Sequence, residues 1–474
     1  MYEEVLDNGQ KTLSTNWVLV RKMIEDKETV KARLCVRGDL EEDVDTIRKD
    51  SPTINKTNIK LFYLVAMHKK WKIKTADVKA AFLQGSDLDR DVYLKPPKEK
   101  RIPGIVWKMV KRAYGFVDAS RGFFLELEET LCQLGCKVSN HDPAMYLYYD
   151  KEGDLKGMIL THVDDLLHGS GDQEFEEQVL KPLKEKFLFG SEEESAFLYV
   201  GMQVKQDRES IIVNLDHYVE NIEVPTMDSI DELINDEIVD EDSQADFRSL
   251  VGKLGWLAKN ARPDLGFDSL ALSTQVGKVM AKDVKQVVKI VKKLKAEPSE
   301  MKFHDLGPIK EWQIVGHGDA GYRSLPDKVS SCGGQVILIV NKRKQVQCVV
   351  SWRCKKIKRV VSSSTAAEVL AANDTLDEMF YMKEVLKEVF GSDAEDIPLE
   401  LVTDSKNLYK SVMSTSLNEN PRLRTDVAKL KESLKVGKLH RLSLVNGLEM
   451  LADCLTKRGA SSEKLRRILR RGKP

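Results

Sequence analysis

Two adjacent carboxylates, Asp164 and Asp165, lie at the centre of the otherwise apolar stretch ILTHVDDLLHGS, residues 159–170. Neighbouring carboxylates repel each other, and burying an unpaired charge costs several kcal/mol. A tight turn between two strands would expose the pair, because Asp is favoured in turns. A divalent cation would offset the repulsion as well. The stretch therefore predicts a hairpin turn, a metal site, or both.

Other carboxylates stand at the ends of predicted strands or on a helix beside them. Asp77, Asp319 and Asp404 each close a predicted strand. Glu368 lies on a predicted helix whose preceding serines suit an N-cap, and Asp453 lies near the last predicted helix. Two-metal phosphoryl transfer requires carboxylates that converge from separate elements to hold two Mg²⁺ ions about 3.5–4 Å apart. A single aspartate is commonly a surface residue, so the prediction depends on the ordered set.

The first part of the chain alternates hairpins with amphipathic helices, which are the elements that must position these carboxylates. The predicted elements are a hairpin over 17–37 with a polar turn at Glu25–Glu28, helices over 57–70 and 121–135, a hairpin with the double aspartate on its return arm, a helical segment from Gln173 to Phe187, and a hairpin formed by AFLYVGMQV and IIVNL. From about Asp216 to Glu297 the pattern is mostly helical. The acidic segment Asp228–Asp246 interrupts it and is typical of a solvated loop.

The pattern changes after Pro308. Three predicted strands, 312–319, 333–340 and 346–354, precede a predicted helix over 364–390, and strands then alternate with helices up to a last helix containing Leu451–Asp453. This order predicts a mixed α/β domain, with its boundary near 305–311. At 474 residues the chain is long enough for about three domains. The predicted divisions are 1–205, 206–308 and 309–474.

The composition is that of a folded globular protein, with 42% hydrophobic and 32% charged residues. The formal net charge is zero, so binding to nucleic acid would have to come from local basic patches. Six lysines between Lys282 and Lys295 lie on one predicted helix, and basic residues also cluster from Lys457 to Lys473. These lysines could follow backbone phosphates or form an ordinary solvated helix face.

The cysteines and the apolar runs bear on the cellular environment. Seven cysteines form no CxxC pair, and the N-terminus has no secretory signal, which together are typical of reduced thiols in an intracellular protein. No apolar run reaches about 18 residues, so no membrane span is expected.

Ordered motifs along the chain resemble those of a known family. The segments KARLCVRGD, SPTI, ADVKAAFLQGS, DVYLKPP, KRAYGF, HVDDLLHG, FLYVGMQV and RSLVGKLGWLAKNARPD resemble the reverse transcriptase of Ty1/copia-type retrotransposons. The later segments GHGDAGY, SWRCKK, SSSTAAEVLAA, VTDSKNL and LADCLTK resemble the ribonuclease H that ends the same Pol polyprotein. The resemblance covers about residues 17–460.

This resemblance implies a fold and a function. The fold would be a right-hand polymerase with fingers, palm and thumb/connection, followed by a ribonuclease H-like mixed α/β domain. The function would be RNA- and DNA-directed DNA polymerisation with ribonuclease H activity, copying retrotransposon RNA into DNA. The implied partners are an RNA template, a DNA primer, dNTPs and the RNA/DNA hybrid, with two Mg²⁺ ions per active site or Mn²⁺ as an alternative. The implied location is cytoplasmic, including virus-like particles, and the oligomeric state stays open.

Carried over residue by residue, the resemblance assigns two sets of site residues. In the polymerase, Asp77 matches the first catalytic aspartate, and Asp164 and Asp165 match the metal-binding pair of the palm hairpin. The implied nucleotide-binding residues are Lys31 and Arg33 of the fingers hairpin, Phe82 beneath the sugar, and Tyr114 and Gly115 beneath the templating base; Phe197–Met202 would grip the primer end. In the ribonuclease H the metal-binding carboxylates would be Asp319, Glu368, Asp404 and Asp453.

The chain departs from the family pattern in three places. His162 precedes the Val-Asp-Asp motif where the family usually has an aromatic residue. The segment YGFVDASR keeps Arg121 but differs at Val117, Asp118 and Ser120. A histidine expected ten residues before the last aspartate is replaced by Ser443, with His440 on the preceding predicted strand.

Two alternative functions stay open at this point. The first is a catalytically decayed or co-opted copy that binds nucleic acid without catalysis. The second is a metal-dependent phosphohydrolase that would use His162, Asp164, Asp165 and His168.

Overall fold

The structure is a computed structural model that describes residues 1–5, 11–24, 27–224, 235–416 and 421–473. Its strands are β1 (Tyr2–Val5), β2 (Thr12–Leu13), β3 (Thr15–Ile24), β4 (Lys27–Val36), β5 (Lys72–Val78), β6 (Tyr93–Leu94), β7 (Ile105–Lys108), β8 (Lys137–Val138), β9 (Met145–Tyr149), β10 (Leu155–His162), β11 (Asp165–Ser170), β12 (Phe189–Glu194), β13 (Ala196–Tyr199), β14 (Met202–Gln206), β15 (Ser210–Asn214), β16 (Glu300–His304), β17 (Trp312–Gly321), β18 (Cys332–Asn341), β19 (Val346–Lys356), β20 (Leu399–Thr403) and β21 (Arg441–Leu444). Its α-helices are α1 (Lys56–Lys69), α2 (Ala81–Gln84), α3 (Ala119–Gln133), α4 (Gln173–Phe175), α5 (Lys181–Lys186), α6 (Asp216–Glu220), α7 (Glu241–Asn260), α8 (Gly266–Ser273), α9 (Ala281–Ala296), α10 (Ser364–Phe390), α11 (Lys406–Met413), α12 (Pro421–Lys435) and α13 (Glu463–Arg471). Within the described ranges, none of the helices combines the length and apolar composition that a bilayer crossing requires.

The chain forms two compact units. The first comprises Met1–Asn55 and Lys74–Glu193, and the second comprises Lys56–Ile73 and Glu194–Pro474. The segment Lys56–Ile73, which carries α1, therefore groups with the later part of the chain. The predicted division into 1–205, 206–308 and 309–474 stays a prediction.

The first unit is organised around a six-stranded sheet in the order β12-β5-β11-β10-β9-β8. The hairpin predicted from AMYLYYD, the turn KEGD and GMILTHVDDLLHGS is observed as the antiparallel pair β9–β10. Its predicted return strand is divided in two, because β10 and β11 pair with each other from Gly157↔Ser170 to His162↔Asp165. The double aspartate differs in one detail from the prediction, because Asp164 lies in the turn and only Asp165 opens the return strand. The core beside this sheet includes Phe123, Phe175 and Phe187, whose helices or helix ends pack on it.

The early hairpin is also confirmed, with β3 and β4 paired from Thr15↔Val36 to Ile24↔Lys27. Two residues of its predicted turn, Glu25 and Asp26, lie outside the described residues. The part of the predicted acidic loop between 228 and 234 lies outside them as well.

The second unit contains two further sheets. One has the antiparallel order β13-β14-β15-β16, and in it Val200 and Gly201 form a two-residue turn with positive φ at both positions, as type I′ hairpins require. The other has the order β19-β18-β17-β20-β21, in which β17, β18 and β19 are antiparallel neighbours and β20 and β21 add in parallel. The predicted mixed α/β fold, three strands followed by a helix and then alternating strands and helices, is thereby confirmed.

Most predicted elements of this unit are observed, and one prediction is wrong. The long helix α10 has the predicted bounds, and the six-lysine segment lies on α9 as predicted. The last helix does not contain Leu451–Asp453: Asp453–Leu455 form a single 3₁₀ turn, and α13 begins only at Glu463. The backbone leaves the helical region at Thr456, whose φ is −129°, and Gly459, with a φ of 75°, prevents a continuous right-handed helix from there into α13.

Candidate active sites

The first carboxylate cluster combines Asp77, near the end of β5, with Asp164 and Asp165 of the β10–β11 hairpin. One carboxylate oxygen from each of the three lies within 4.8 Å of the others. The hairpin turn is held against β5 because the Val78 amide donates a hydrogen bond of 3.1 Å to the Asp164 carbonyl. The structure therefore brings together the three residues that the sequence predicted for this site.

The turn that presents these aspartates has an unusual backbone. Val163 has a φ of 61°, a left-handed value that is rare for a β-branched residue. The turn is held from both sides, since His162 pairs with Asp165 across the hairpin and forms a bridge with Thr53. A strained residue that persists in such surroundings is a frequent feature of functional sites.

Electrostatic repulsion is concentrated at Asp165. Burial, together with the negative charges of Asp164 and Asp77, raises the pKa of the Asp165 carboxyl to about 6. A divalent cation would relieve this repulsion, so the three carboxylates fit a metal site. Gly190 on β12 leaves room for the cluster, because a Cβ there would lie 2.8 Å from Asp77 Oδ2. The sequence did not point to Gly190, because a single glycine in the polar segment FGSEEE indicates no particular role.

Phe82 occupies the short helix α2 directly after β5. The side chain of Gln84 fixes this helix, because its oxygen accepts from the Leu188 amide at 2.7 Å and its NH₂ donates to the Lys79 carbonyl at 2.5 Å. The Phe82 ring lies 5.0 Å from the Tyr114 ring, centroid to centroid, in an edge-to-face arrangement. The structure thus places two of the predicted nucleotide-binding residues in contact.

The same aromatic pair is joined to strand β4. The Val36 amide donates to the Tyr114 carbonyl at 2.7 Å, and Gly115 has a φ of 98° beside it. A Cβ on Gly115 would lie 2.0 Å from the Val36 carbonyl oxygen, so only glycine fits. The Arg33 guanidinium stands over the Tyr114 ring at 5.4 Å, and its Nε is buried without a hydrogen-bond partner. Lys31, two residues earlier on β4, is exposed.

The departure at Asp118 has a structural explanation that sequence reasoning missed. Asp118 is buried and accepts hydrogen bonds from Arg90 Nη1 at 2.9 Å and from Arg112 Nε at 2.8 Å. Although burial works against the charged form, these hydrogen bonds lower the pKa of Asp118. Arg121, which matches the family pattern, donates instead to Asp50 Oδ2 at 2.9 Å.

The histidines proposed for a hydrolase do not join the carboxylates as metal ligands. Among the described residues, the group around Asp165 that could hold a cation contains Asp77 and Asp164 but neither His162 nor His168. Because side chains alternate along a strand, His168 on β11 lies on the face opposite to Asp165. Burial lowers the pKa of His168 to about 4.

The second cluster forms at one edge of the β17–β20 pair. These strands are parallel from Ile314↔Leu399 to His317↔Val402, so Asp319 and Asp404 emerge at the same end. Glu368 joins them from the first turns of α10, whose start is fixed because Ser363 Oγ accepts from the Ala366 amide at 3.1 Å. One carboxylate oxygen of each of the three residues lies within 4.8 Å of the others.

The fourth predicted carboxylate, Asp453, is linked to this cluster by an ion pair with Lys457. Lys457 Nζ lies 2.7 Å from Asp453 Oδ1, 3.6 Å from Asp319 Oδ1 and 3.7 Å from Asp404 Oδ2. Although burial opposes the charged form, Asp319, Asp453 and Asp404 raise the pKa of Lys457. The Thr456 hydroxyl donates to Asp319 Oδ2. Sequence reasoning missed Lys457, although its place four residues after Asp453 was a visible signal.

The electrostatics of this second cluster also fit a cation. Burial, with the charges of Asp319 and Asp404, raises the pKa of Glu368 to about 9, and burial raises that of Asp319 to about 6. Asp319 Oδ1 and Glu368 Oε2 are buried and have no hydrogen-bond donor. Buried acceptor oxygens without donors, in mutually repelling carboxylates, are suited to bind a hard divalent ion.

Ser443, which replaces the histidine of the family pattern, and the nearby His440 have other contacts. Ser443 Oγ donates to Glu400 Oε1 at 2.5 Å, and His440 Nδ1 accepts from the Leu399 amide at 3.2 Å. Both therefore support the sheet beside the cluster.

Comparisons with known proteins extend these observations. Residues 4–228 match the family described as reverse transcriptase (RNA-dependent DNA polymerase). The retrovirus-related Pol polyprotein from transposon RE1 of Arabidopsis thaliana is 25% identical over 93% of this chain and 30% of its own length. The corresponding polyprotein from transposon TNT 1-94 of Nicotiana tabacum is 24% identical over 81% of this chain and 30% of its own. This chain thus spans about 30% of the length of these relatives.

A solved foamy viral protease–reverse transcriptase in complex with dsDNA is also similar, at 13% identity, over 94% of this chain and 79% of that one, with a TM-score of 0.23. Because that score is low, the fold assignment depends on the strand orders described above. The predicted resemblance is nevertheless confirmed: residues 4–228 match the reverse transcriptase family, and the chain is similar along most of its length to Pol polyproteins of Ty1/copia-type retrotransposons.

Proposed function

We propose that this chain is an RNA- and DNA-directed DNA polymerase with ribonuclease H activity, and that it copies retrotransposon RNA into DNA. The observation that carries the proposal is the presence of two separate carboxylate triads, one in each compact unit, each with ligand oxygens within 4.8 Å. The family relationship supports a retroelement polymerase and nuclease of this general class. We further propose a cytoplasmic location and the division 1–205, 206–308 and 309–474 into palm with fingers, thumb/connection, and ribonuclease H.

In the polymerase site, Asp77, Asp164 and Asp165 would hold divalent cations, Mg²⁺ or Mn²⁺. Such ions, when bound, lower the pKa of a bound hydroxyl and offset charge on phosphoryl oxygens. The chain's own residues provide the approach to that site. Arg33 supplies a fixed positive charge for a triphosphate, with Lys31 as a second one on the same strand.

The aromatic pair supports a nucleotide-binding role. Phe82 and Tyr114 form an edge-to-face contact at 5.0 Å, and the exposed Gly115 follows Tyr114 directly. We infer that a bulky ring at Phe82 would exclude a ribose 2′-hydroxyl and favour dNTPs. A Phe82→Ala variant would then incorporate ribonucleotides more readily, with little loss of dTTP incorporation.

In the nuclease site, Asp319, Glu368, Asp404 and Asp453 would hold the cations. Lys457 balances their negative charge, and the Thr456 hydroxyl orients Asp319. The hydrolysed partner would be the RNA strand of an RNA/DNA hybrid, recognised through its shape and 2′-hydroxyls.

The test is primer extension on poly(rA)·oligo(dT) with Mg²⁺, measured beside cleavage of a labelled RNA/DNA hybrid. The native chain should perform both reactions. The Asp164→Asn/Asp165→Asn variant should lose extension and keep cleavage, whereas Asp404→Asn should lose cleavage and keep extension. Absence of both reactions with Mg²⁺ and with Mn²⁺, while hybrid binding persists, would instead favour a co-opted nucleic-acid-binding protein.

A further inference from the structure

In the first unit, a network of charged side chains flanks the segment that carries Tyr114 and Gly115. At the centre of the network is the buried carboxylate of Asp118. Arg90 donates to it from Nη1 at 2.9 Å and from Nη2 at 3.2 Å, and Arg112 donates from Nε at 2.8 Å. A buried polar network whose hydrogen bonds are satisfied makes its surroundings rigid. Asp118 is therefore suited to fix the segments from which its two arginine partners come.

The position of Asp118 in the sequence suggests a different contact from the one observed. The residue directly precedes helix α3, where an aspartate usually caps the first turn with its side chain. Here the carboxylate caps none of the amides of that helix. A Cβ at Gly122, near the start of α3, would overlap the Arg112 side chain, so this glycine leaves the guanidinium its path to Asp118. The contacts with the arginines thus replace a helix cap.

Arg112 joins Asp118 to the residues that follow α2. Its Nη1 donates to the Asp87 carbonyl at 2.9 Å, to Ser86 Oγ at 3.1 Å and to the Ser86 carbonyl at 3.3 Å. Ser86 comes four residues after Phe82, which lies on α2. The guanidinium therefore connects the segment that carries Phe82 to the carboxylate.

The ion pair between Arg112 and Asp118 also closes the short segment 113–117 between them. This segment carries Tyr114, whose ring contacts that of Phe82 at 5.0 Å. Because one arginine holds both segments, the two rings are fixed relative to each other from outside their own contact.

Arg90 joins Asp118 to the residues that follow β4. Its Nε donates to Glu41 Oε1 at 2.5 Å and its Nη2 donates to Glu41 Oε2 at 3.0 Å, which is a bidentate pair. Glu41 follows the 3₁₀ turn Gly38–Leu40, and this turn comes directly after β4 and Arg37. Strand β4 is the one that carries Lys31 and Arg33.

One buried carboxylate thus joins three segments of the nucleotide site: the end of β4, the residues after α2 and the segment that precedes α3. We propose that Asp118 is a positioning residue for the incoming nucleotide. Through Arg112 it fixes the aromatic contact of the site, and through Arg90 it holds the strand that carries the cations. The inference rests on the proposed polymerase function and deepens it, because selection of the sugar would depend on a buried residue outside the set that meets the nucleotide.

The experiment compares incorporation of dTTP and of UTP on poly(rA)·oligo(dT) by the full chain and by Asp118→Asn. The asparagine keeps the shape of the side chain and removes its charge. A small displacement of a positioning group can cost about a hundredfold in rate. We expect the KM for dTTP to rise about tenfold with kcat kept within about twofold, and the preference for dTTP over UTP to fall at least tenfold. Hybrid cleavage by the same preparation should keep its native rate.

A second variant, Arg112→Met, tests the same link with a milder change. It leaves Asp118 with both hydrogen bonds from Arg90 and removes the bonds to Ser86 and Asp87. The preference for dTTP should fall as it does in Asp118→Asn. The urea midpoint of unfolding should shift less, because the buried carboxylate keeps a partner.

The matched control is Asp150→Asn. This residue belongs to the same unit, its side chain is 10% exposed, and its carboxylate pairs with Lys156 at 2.9 Å. It stands at the turn between β9 and β10, whereas Asp164 follows the other end of β10. The control should lower the urea midpoint and keep the native preference for dTTP.

A double variant separates positioning from a general weakening of the unit. If Asp118 acts through Phe82, Asp118→Asn/Phe82→Ala should discriminate between dTTP and UTP no worse than Phe82→Ala alone, whereas independent effects would multiply. The same four chains compared by urea unfolding require no activity. The midpoint shift of the double variant should differ from the sum of the two single shifts.

Two results would overturn the inference. The first is a native KM and a native dTTP preference in folded Asp118→Asn. The second is a pair of effects that multiply in discrimination and add in the urea midpoints. If the native chain extended no primer, the proposed polymerase function would be contradicted, and the urea midpoints would then decide on Asp118 by themselves.

Discussion

Lys457 offers a sharp test of the second carboxylate cluster, because its ammonium group contacts three carboxylates at once. A Lys457→Met variant keeps the length of the side chain and removes the charge. For one unit-charge pair at 3.6 Å, as for Asp319, an effective dielectric constant of 20 gives about 5 kcal/mol. Since the Lys457 side chain is 44% exposed, solvent screens most of this energy. We expect a net loss of about 1–3 kcal/mol in the free energy of unfolding without divalent ions.

The same variant should bind Mg²⁺ or Mn²⁺ more tightly. In the native chain a cation must compete with the ammonium group for Asp319 and Asp404, and in the variant this competition disappears. We expect at least a tenfold gain in affinity. An ion at a hundred times its Kd stabilises the folded state by about 2.7 kcal/mol, so saturating Mg²⁺ should restore most of the lost stability. The measurement is the unfolding midpoint as a function of Mg²⁺ concentration.

The matched control is Lys355→Met. Lys355 has almost the same exposure, 42%, but contacts a single carboxylate, Asp374, at 2.8 Å. Its loss should cost less than about 1 kcal/mol, without any dependence on Mg²⁺. If Lys457→Met is destabilised equally with and without Mg²⁺, and its ion affinity is unchanged, then the ammonium does not compete with a cation and the reasoning is refuted.

Three further predictions concern protonation and packing. Burial lowers the pKa of Lys60 to about 7, below its unfolded value of 10.5, so the folded state binds fewer protons between these values and its stability rises with pH there. Above pH 7, the free energy of unfolding of the native chain, measured with urea, should increase by about 1.4 kcal/mol per pH unit relative to that of Lys60→Met. Gly115→Ala should cost at least about 2 kcal/mol in the same assay, because the new Cβ meets the Val36 carbonyl. Glu368, with a pKa of about 9, should release about one proton per bound ion at pH 7, measured by calorimetry in two buffers, and Glu368→Gln should release none.

Each of these expectations has a contrary outcome. A constant stability difference from pH 7 to 9 between native chain and Lys60→Met, with exposed Lys289→Met as control, would mean that Lys60 is charged throughout. A Gly115→Ala chain of native stability would mean that the backbone moves freely at this turn. Equal proton release by native chain and Glu368→Gln would assign the proton to another carboxylate.

Local patterns predicted the elements of the fold well. The helix Ser364–Phe390 was predicted close to its observed bounds because the serines before it suit an N-cap, and Ser363 does cap its start. A turn at Asp164 and Asp165 was one of the predictions, because two carboxylates interrupt an apolar run, and the structure places Asp164 in a turn. In both cases the deciding information lies within a few residues of the element.

Contacts between segments that are distant in the chain could not be predicted from such local patterns. The burial of Asp118 depends on Arg90 and Arg112, which no periodicity links to it. Lys457 could be paired with Asp453 from its spacing, but its contacts to Asp319 and Asp404 depend on the parallel pairing of β17 with β20. The sequence therefore predicted the carboxylates of this site, but it did not predict that the Lys457 ammonium group lies between them.

The placement of α1 in the second unit has a consequence for the order of folding during synthesis. Thr57 Oγ1 lies 3.2 Å from Ser351 Oγ, and these residues are 294 positions apart in the chain. At about 5–20 residues per second, a ribosome needs roughly 15–60 s to make the strand that α1 packs against. During that time Lys60 lacks the Trp352 ring, whose centroid lies 4.4 Å from its Nζ in the folded chain. The second unit therefore completes its core only after nearly the whole chain has emerged, and chaperones that shield apolar helices would act on α1 in the interval.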